Sequence, residues 1–302
     1  MVIAGGPLAP TAQAYVQYQI VKAGVATGVR FHWKQSCIPV TVYPNDLTEM
    51  TTDEIEQAAA GAAAAWSRAQ ISCTFLDIQV TASFEPTQPA GQDPYNVLVF
   101  RNPWCDPAQP ELCQPDALAL TSVWAGMTSG SIHDGDIEVN TENAVWADLV
   151  LHPAPGKQDL QNALTHEIGH LIGLDHNCYS PRSDPLRQTD NTGALVPFCT
   201  EADAVVMAST MYTNAAPGDL SKRTLAEDDM NAACGIYPAT RPVACMPAPE
   251  TPAGCTCSLD RSSGAPLSSL ATALLLMLGW AARTRRRRPP GSNSGTPARA
   301  RP

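Results

Sequence analysis

The run from His166 to His176, with the pattern His-Glu-x-x-His-x-x-Gly-x-x-His, constrains the fold of this chain more than any other feature. His166 and His170 are four residues apart, so an α-helix places them one above the other on the same face. A straight helix would direct His176 away from that face. Gly173 permits a backbone with positive φ, which would end the helix and return His176 toward the other two histidines. The pattern therefore predicts a helix, a glycine turn and three converging imidazoles.

Three converging imidazoles predict one catalytic zinc ion. With Zn–N distances of about 2.0–2.1 Å, His166, His170 and His176 would fill three tetrahedral positions and leave the fourth open, as in catalytic rather than structural sites. Glu167, beside the first ligand, is placed to accept a proton from zinc-activated water. The five-residue part of the motif also arises by chance on amphipathic helices, but the added glycine and third histidine favour the catalytic interpretation.

The full motif resembles the metzincin superfamily of zinc endopeptidases, and a second element supports the resemblance. Residues Ala208–Tyr212 look like the metzincin Met-turn, which implies that Met211 lies under the metal and Tyr212 beside the substrate pocket. The Met-Tyr pair resembles the matrixins in particular, with Met207 as a rival that could be an ordinary core residue. The resemblance implies an α+β, zincin-like domain over residues 15–238, with a twisted mixed sheet, a long zinc-binding helix, a Met-turn and a C-terminal helix.

Local patterns predict the other elements of this domain. Residues 51–68 begin with a threonine cap and acidic side chains and continue with alanines, which predicts a helix. Residues 225–238 resemble the final helix of a matrixin catalytic domain. Short β-branched or aromatic runs predict three strands, and the resemblance adds two more; the five are Ile38–Tyr43, Thr74–Val80, Asn96–Phe100, Leu118–Trp124 and Ser131–Asn140.

The fourth of these strands carries the predicted substrate-binding residues. In metzincins the equivalent strand is the edge of the sheet above the cleft, and it pairs antiparallel with an extended substrate. An unpaired edge offers a row of backbone donors and acceptors to a peptide. The resemblance thus implies a peptide or protein substrate bound along Leu118, Ala119, Leu120 and Thr121.

The fifth strand contains an acidic cluster with two open interpretations. Asp134, Asp136 and Glu138 alternate with apolar residues, which favours a half-buried strand. The same acidic side chains could instead bind calcium, so a Ca²⁺ site is the alternative.

The chain has ten cysteines, which are typical of an oxidised, exported protein. Neighbouring cysteines suggest a local pairing, one of several that the number permits. This pairing would place one disulfide across most of the insertion between His176 and Met211. A cysteine ligand for zinc is the competing interpretation, but the histidine triad already fills the site. The suggested pairs are Cys37–Cys73, Cys105–Cys113, Cys178–Cys199 and Cys234–Cys245.

The C-terminal region predicts export and membrane attachment. Residues 239–263 form a Pro/Ala/Gly-rich linker with a Cys255-Thr-Cys257 motif, and residues 264–288 combine an apolar stretch with an arginine cluster. The stretch of 16 residues, 267–282, is short of the usual ~20 for a membrane span, so a core helix is the alternative. The order of cysteines, apolar stretch and arginines resembles the myxobacterial-type C-terminal sorting signal, which implies cleavage near the cysteines. We expect residues 289–302 to be a disordered tail.

The N-terminus and the charge balance agree with export. Residues 1–14 contain Ala12-Gln13-Ala14, which resembles a signal-peptidase site, and predict a truncated signal peptide; a leaderless protein is the alternative. The chain carries 29 acidic and 19 basic side chains, and 7 of the basic ones are arginines after Ala282. So acidic a domain argues against nucleic acid as a partner.

These observations predict an exported, monomeric, matrixin-like zinc endopeptidase, anchored at the cell surface or released after C-terminal processing. The alternative is a catalytically silent zinc-binding surface or adhesion module of the same fold. Hydrolysis of a non-peptide bond by the same zinc is less favoured, because the edge strand and the Met-turn suit an extended peptide. Cleavage specificity depends on the pocket near Tyr212 and does not follow from the sequence.

Overall fold

The computed structural model describes residues 14–45, 49–85, 88–106, 108, 113–181 and 186–240, together with the backbone of 298–300. The chain divides into two compact units, residues 1–246 with 296–302 and residues 247–295, and the second unit lies outside the described residues. Nearly all of the predicted signal peptide, linker, apolar segment and tail also lie outside the described residues. No helix of the described part is long and apolar enough to cross a membrane.

The described residues form four α-helices and eleven strands, which we number in chain order. The helices are α1 (Thr52–Trp66), α2 (Leu160–Leu171), α3 (Ala204–Met207) and α4 (Glu227–Ile236). The strands are β1 (Gln19–Lys22), β2 (Val25–Arg30), β3 (His32–Trp33), β4 (Cys37–Tyr43), β5 (Asp77–Ala82), β6 (Val97–Arg101), β7 (Ala119–Ala125), β8 (Ser131–Asn140), β9 (Trp146–Ala147), β10 (Gln158–Asp159) and β11 (Ala298–Ala300).

One mixed sheet forms the centre of the fold, with the strand order β5-β4-β6-β8-β7-β11 and with β3 beside the start of β8. The pairs β4–β5, β4–β6, β6–β8 and β3–β8 are parallel, and β7 is antiparallel to β8 and to β11. A mostly parallel mixed sheet with few helices agrees with the predicted α+β class. All five predicted strands exist, most of them within one or two residues of the expected bounds.

One strand starts later than the sequence predicts. The sequence predicts that β5 starts at Thr74, but the strand begins at Asp77. Thr74 instead forms an isolated bridge with Pro238, and the backbone N–H of Phe75 donates to the carbonyl oxygen of Tyr237 at 2.9 Å. These residues therefore pair with the end of the domain before the chain enters the sheet.

Helices α1 and α2 pack against each other and against the sheet. The buried face of α1 is made almost entirely of alanines, with Ile55 near one end and Trp66 at the other. Small side chains let the two helices approach closely, so that a Cβ atom on Gly61 would lie 2.8 Å from the side chain of Gln161. The indole N–H of Trp66 donates to the carbonyl oxygen of Thr165 at 2.7 Å, which fixes the register between the helices.

The acidic residues of β8 hold a loop against the sheet. Asp136 accepts hydrogen bonds from the backbone N–H groups of Gly91 at 2.7 Å and Val97 at 3.0 Å, and Asp134 accepts one from Asp93 at 2.7 Å. Burial raises the pKa of Asp136 to about 7. The predicted strand is confirmed at its expected bounds, but it is buried on both faces rather than on one.

Two of the suggested disulfides are present, Cys105–Cys113 and Cys178–Cys199, with Cα–Cα distances of 5.3 and 4.9 Å. Both close short loops, 8 and 21 residues in length, which is why proximity along the sequence predicts them.

The other two suggested disulfides are wrong, because Cys73 pairs with Cys234 across 161 residues. This excludes both Cys37–Cys73 and Cys234–Cys245. The segment after α1 lies beside the end of α4, where the backbone N–H of Ala239 donates to the carbonyl oxygen of Cys73 at 2.8 Å. Proximity along the sequence carries no signal for such a long-range contact.

The sequence predicted that β7 is an unpaired edge of the sheet, but half of the strand has a partner on its outer side. Val123, Trp124 and Ala125 pair antiparallel with β11, whose backbone provides partners for the outer side of this half of the strand. On the outer side of residues 119–121, no strand pairs with β7 within the described ranges. The prediction therefore survives only for the half of β7 that precedes Ser122.

Replacing Thr51 by alanine should lower the free energy of unfolding by about 1 kcal/mol, because Thr51 caps α1. Its hydroxyl accepts the N–H of Glu54 at 3.3 Å, and its own N–H donates to the carboxylate of Glu54 at 2.7 Å. Thr52→Ala is the control, since Thr52 lies inside the helix. Urea unfolding followed by circular dichroism measures both variants, and equal midpoints for Thr51→Ala and the parent protein would contradict the capping role.

Candidate metal centre

Helix α2 begins at a buried charged network. Asp159 caps the helix by accepting the N–H of Asn162 at 2.8 Å. The guanidinium of Arg223 donates to both oxygens of Asp159, at 2.8 and 2.7 Å, and to Asp148 at 2.7 Å. The network joins the start of α2 to the segment that follows Leu220, and so fixes that segment beside the helix.

The helix ends at Gly173, as predicted. Gly173 has a φ of 93°, and the N–H of Leu174 donates back to the carbonyl oxygen of Gly169 at 3.0 Å. A Cβ atom on residue 173 would lie 2.7 Å from the carbonyl oxygen of Phe31. Glycine is therefore required both by the backbone conformation and by the close approach of another chain segment.

Two buried aromatic side chains satisfy the last carbonyl groups of α2. The indole N–H of Trp33 donates to Leu171 at 2.8 Å, and the hydroxyl of Tyr237 donates to Ile172 at 2.6 Å. Helix ends leave carbonyl oxygens without intrahelical partners. These two donors let the helix end inside the protein rather than at its surface.

The chain after Gly173 is held on both sides, which directs His176 back toward the helix. Before it, the N–H of Asp175 donates to the carbonyl oxygen of Val16 at 3.1 Å. After it, the N–H of Asn177 donates to the carbonyl oxygen of Met211 at 3.3 Å. His176 itself is buried.

The three histidines converge as predicted. One ring nitrogen from each of His166, His170 and His176 lies within 4.8 Å of the others. Among the described residues, this is the only group of three or more histidine, cysteine, aspartate or glutamate side chains placed to hold a metal ion. The acidic residues of β8, considered above as a calcium site, do not form such a group there.

The hydrogen bonds of the rings leave both Nε2 atoms free to bind a metal. Nδ1 of His166 lies 2.6 Å from the carbonyl oxygen of Thr210, and Nδ1 of His170 lies 2.9 Å from that of Leu174. A carbonyl oxygen only accepts, so Nδ1 must carry the proton in each ring. Tyr18 also contacts Nδ1 of His170 through its hydroxyl, at 3.0 Å.

Burial holds the pKa of His166 and His170 well below the usual range, so both rings are neutral. Their unprotonated Nε2 atoms face each other at 3.1 Å. Two lone pairs so close repel each other unless a cation lies between them. The ligating nitrogen atoms of two imidazoles on one tetrahedral zinc ion would lie about 3.3 Å apart, given Zn–N distances of about 2.0–2.1 Å. The residues present therefore fit a metal ion of this kind.

The structure distinguishes the two candidate methionines. Met211 is 3% exposed and Met207 is 48% exposed, so Met211 is the one that the fold buries. It packs against Gly169 of α2, where a Cβ atom would lie 2.2 Å from the Met211 sulfur. Asp229 of α4 holds this turn by accepting from the hydroxyl of Ser209 at 3.1 Å and from the N–H of Thr210 at 2.8 Å.

Glu167 is buried on the same helix and is held by the sheet. Its carboxylate accepts a hydrogen bond from the hydroxyl of Thr121 at 2.7 Å. Burial raises the pKa of Glu167 to about 7, although the bond from Thr121 opposes this shift. Thr121 was predicted to bind substrate through its backbone, and its side chain has the further contact that orients this carboxylate.

A cavity of about 430 Å³ opens onto the triad. The three histidines and Glu167 line one side, and residues 113–120, which include Leu118, Ala119 and Leu120, line another. Residues 213–215 and Lys222 complete the wall. Tyr212 is not among the lining residues, although its carbonyl oxygen accepts a hydrogen bond from the ammonium group of Lys222.

Three side chains of this site escaped sequence analysis: Tyr18, Lys222 and Asp229. Each acts from a segment far along the chain from the histidine motif, and none belongs to a recognisable pattern. Asp229 had the nearest signal, because acidic residues at the start of α4 are expected to cap that helix. Its second role, holding the Met-turn, depends on the position of α4 in space.

Gly173→Ala should weaken zinc binding about tenfold or more, because the new methyl group would displace Phe31 or the turn that carries His176. Gly193→Ala is the matched control: Gly193 has a φ of 91°, close to that of Gly173, but nothing within 4 Å of its Cβ position. Zinc titration by calorimetry measures both variants. Equal affinities for the two variants would contradict a steric requirement at Gly173.

The sequence was compared with protein-family models and with curated proteins. No protein-family model matches the sequence. No curated protein matches it either. The case for a function therefore rests on the triad, on Glu167 and on the cavity that they line.

Proposed function

We propose that this chain is an exported zinc-dependent endopeptidase of the metzincin superfamily, similar to the matrixins. The observation that carries the proposal is the placement of a buried, oriented carboxylate next to three histidines on one cavity wall. A site that only stored or transported a metal would not need Glu167 held at the cavity by a hydrogen bond from another element.

Zinc is the ion that suits this donor set. Three imidazoles with no thiolate and no further carboxylate are a common catalytic zinc environment, whereas calcium and magnesium prefer oxygen ligands. When bound, such an ion polarises a substrate carbonyl and lowers the pKa of water. His166, His170 and His176 would hold it.

Glu167 would move the proton in the reaction. Its carboxylate is fixed by Thr121, so one oxygen is occupied and the other can face the cavity. A buried carboxylate whose pKa lies near neutrality can accept a proton from the attacking water and return it to the leaving amine. The described site supplies both transfers from this one side chain.

The cavity wall beside β7 suits an extended peptide. Residues 119–121 have no strand on their outer side within the described ranges, so their backbone groups are available to a substrate strand. The buried Met211 under the triad and α4 at the end of the domain further support the resemblance to matrixins. A peptide or protein substrate, bound by a monomer, follows from this proposal.

Export is supported by the disulfides. Three pairs occur within the described residues, and such bonds persist in oxidising compartments. Surface anchoring or release through the C-terminal sorting segment belongs to the same proposal. Intact-mass measurement of protein from the cell surface or the culture fluid tests it, since processing predicts a mature chain that ends near Cys255 or Cys257.

Glu167→Gln should keep zinc and lower kcat at least about 100-fold, because the amide cannot accept the proton. Glu201→Gln is the control, since Glu201 is exposed and does not line the cavity. Metal analysis and a peptide digest would be made on both variants. Near-normal turnover in Glu167→Gln would contradict the mechanism, and zinc without cleavage in the parent protein would favour the silent binding module.

Phenanthroline or a hydroxamate should abolish peptide cleavage, and zinc added after chelation and dialysis should restore it. Magnesium serves as the control ion, because it binds poorly to imidazole nitrogen and should restore nothing. Cleavage that continues in the presence of the chelator would exclude the assigned role of the triad.

A further inference from the structure

Lys222 places a positive charge inside the cavity that holds the triad. The residue is 4% exposed, and it lines the same wall as His166 and Glu167. Buried ammonium groups are rare in proteins unless a carboxylate pairs with them. The partners of this side chain therefore need an explanation.

No carboxylate within the described ranges forms an ion pair with Lys222. Its ammonium group donates one hydrogen bond, to the carbonyl oxygen of Tyr212. Asp219, Glu167 and Asp229 stabilise the charge only through longer-range attraction, and burial lowers the pKa of Lys222 to about 8. The neighbouring Arg223, in contrast, pairs with two carboxylates at 2.7 Å each.

The position of Lys222 is fixed by its backbone. Its N–H donates to the side-chain oxygen of Asn162 in α2 at 2.7 Å, and the charged network of Arg223 follows directly in the chain. Lys222 is thus attached to the helix that carries the histidines. Its ammonium group is held in turn by the hydrogen bond to the carbonyl oxygen of Tyr212.

The other side chains of the cavity wall include few acidic groups that could compete for Lys222. Ala119, Leu120 and Ala163 are apolar, and the acidic side chains that line the cavity are Glu167, held by Thr121, and the exposed Asp116. An acidic side chain that entered beside Lys222 would meet its ammonium group, and that group would gain the ion pair that it lacks.

We propose that Lys222 is a specificity determinant that selects substrates with a glutamate or aspartate side chain beside the scissile bond. This inference rests on the proposed endopeptidase function and names its substrate class. A neutral side chain of the same shape would leave the buried ammonium group without an ionic partner. A basic side chain would meet like charge, so lysine and arginine at this position are excluded.

The test compares peptides that differ at one position. A library digest first locates the cleaved bonds, and then Glu, Gln and Lys versions of one peptide are made for the residue on each side of the bond. For one of these two positions, kcat/KM for the Glu peptide should exceed that for the Gln peptide about tenfold or more. Equal kcat/KM values at both positions in the parent protein would overturn the inference, whatever any variant does.

Substitution of Lys222 tests whether this residue causes the preference for the Glu peptide. Lys222→Met removes the charge and keeps the length, and the Glu-to-Gln ratio should fall to about 1. Lys157→Met is the matched control, because Lys157 pairs with Glu49 at 2.5 Å and does not line the cavity. A ratio unchanged in Lys222→Met would show that another group selects the acid and would overturn the assignment.

Binding provides a readout that does not depend on hydrolysis. Calorimetry with the Glu167→Gln variant should give tighter binding of the Glu peptide than of the Gln peptide, and the double variant with Lys222→Met should lose the difference. If no library peptide is cleaved, the endopeptidase proposal fails, and calorimetry with Glu and Gln forms of one library peptide then tests only whether Lys222 favours an acidic side chain in the cavity. If peptides are cleaved but neither binding nor kcat/KM depends on the acid, only the role of Lys222 fails.

Discussion

The end of α2 at Gly173 is the constraint on which the rest of the site depends. A positive φ reverses the chain three residues after the second histidine, and the carbonyl of Phe31 leaves no room for a side chain there. Trp33 and Tyr237 satisfy the helix carbonyls at this buried end, so the turn costs no unpaired polar group. With the turn fixed, His176 can join the two histidines of the helix.

Backbone carbonyl groups then set the chemistry of the rings. Because Nδ1 of His166 and His170 each faces a carbonyl oxygen, both rings present an unprotonated Nε2 to one point. The carbonyl of Thr210 is itself placed by Asp229, a residue of the last helix. The candidate metal site is therefore built by distant parts of the domain, and a change at the start of α4 would affect a ring about sixty residues earlier in the chain.

The cavity is lined both by the histidine motif and by residues from other segments of the chain. In the proposed function, the triad and Glu167 would provide the reactive centre, whereas Lys222 and the wall from 113 to 120 would select the chain that lies against it. Strand β11 covers the far half of β7, so an extended partner would meet an unpaired backbone only on the half that borders the cavity. Charge and backbone geometry thus restrict binding to the same short region.

By itself the sequence determined the parts of this protein that depend on spacing along one chain segment. The helical spacing of His166 and His170, the turn at Gly173, the cap at Thr51 and the bounds of β8 follow from local backbone geometry, and all appear in the structure. Only the tertiary structure decided which methionine is buried, that Cys73 pairs with Cys234, that β11 covers part of β7, and that Lys222 lines the cavity. These are contacts between segments far apart in sequence, and they arise from the packing of sheet and helices, for which a local pattern carries no signal.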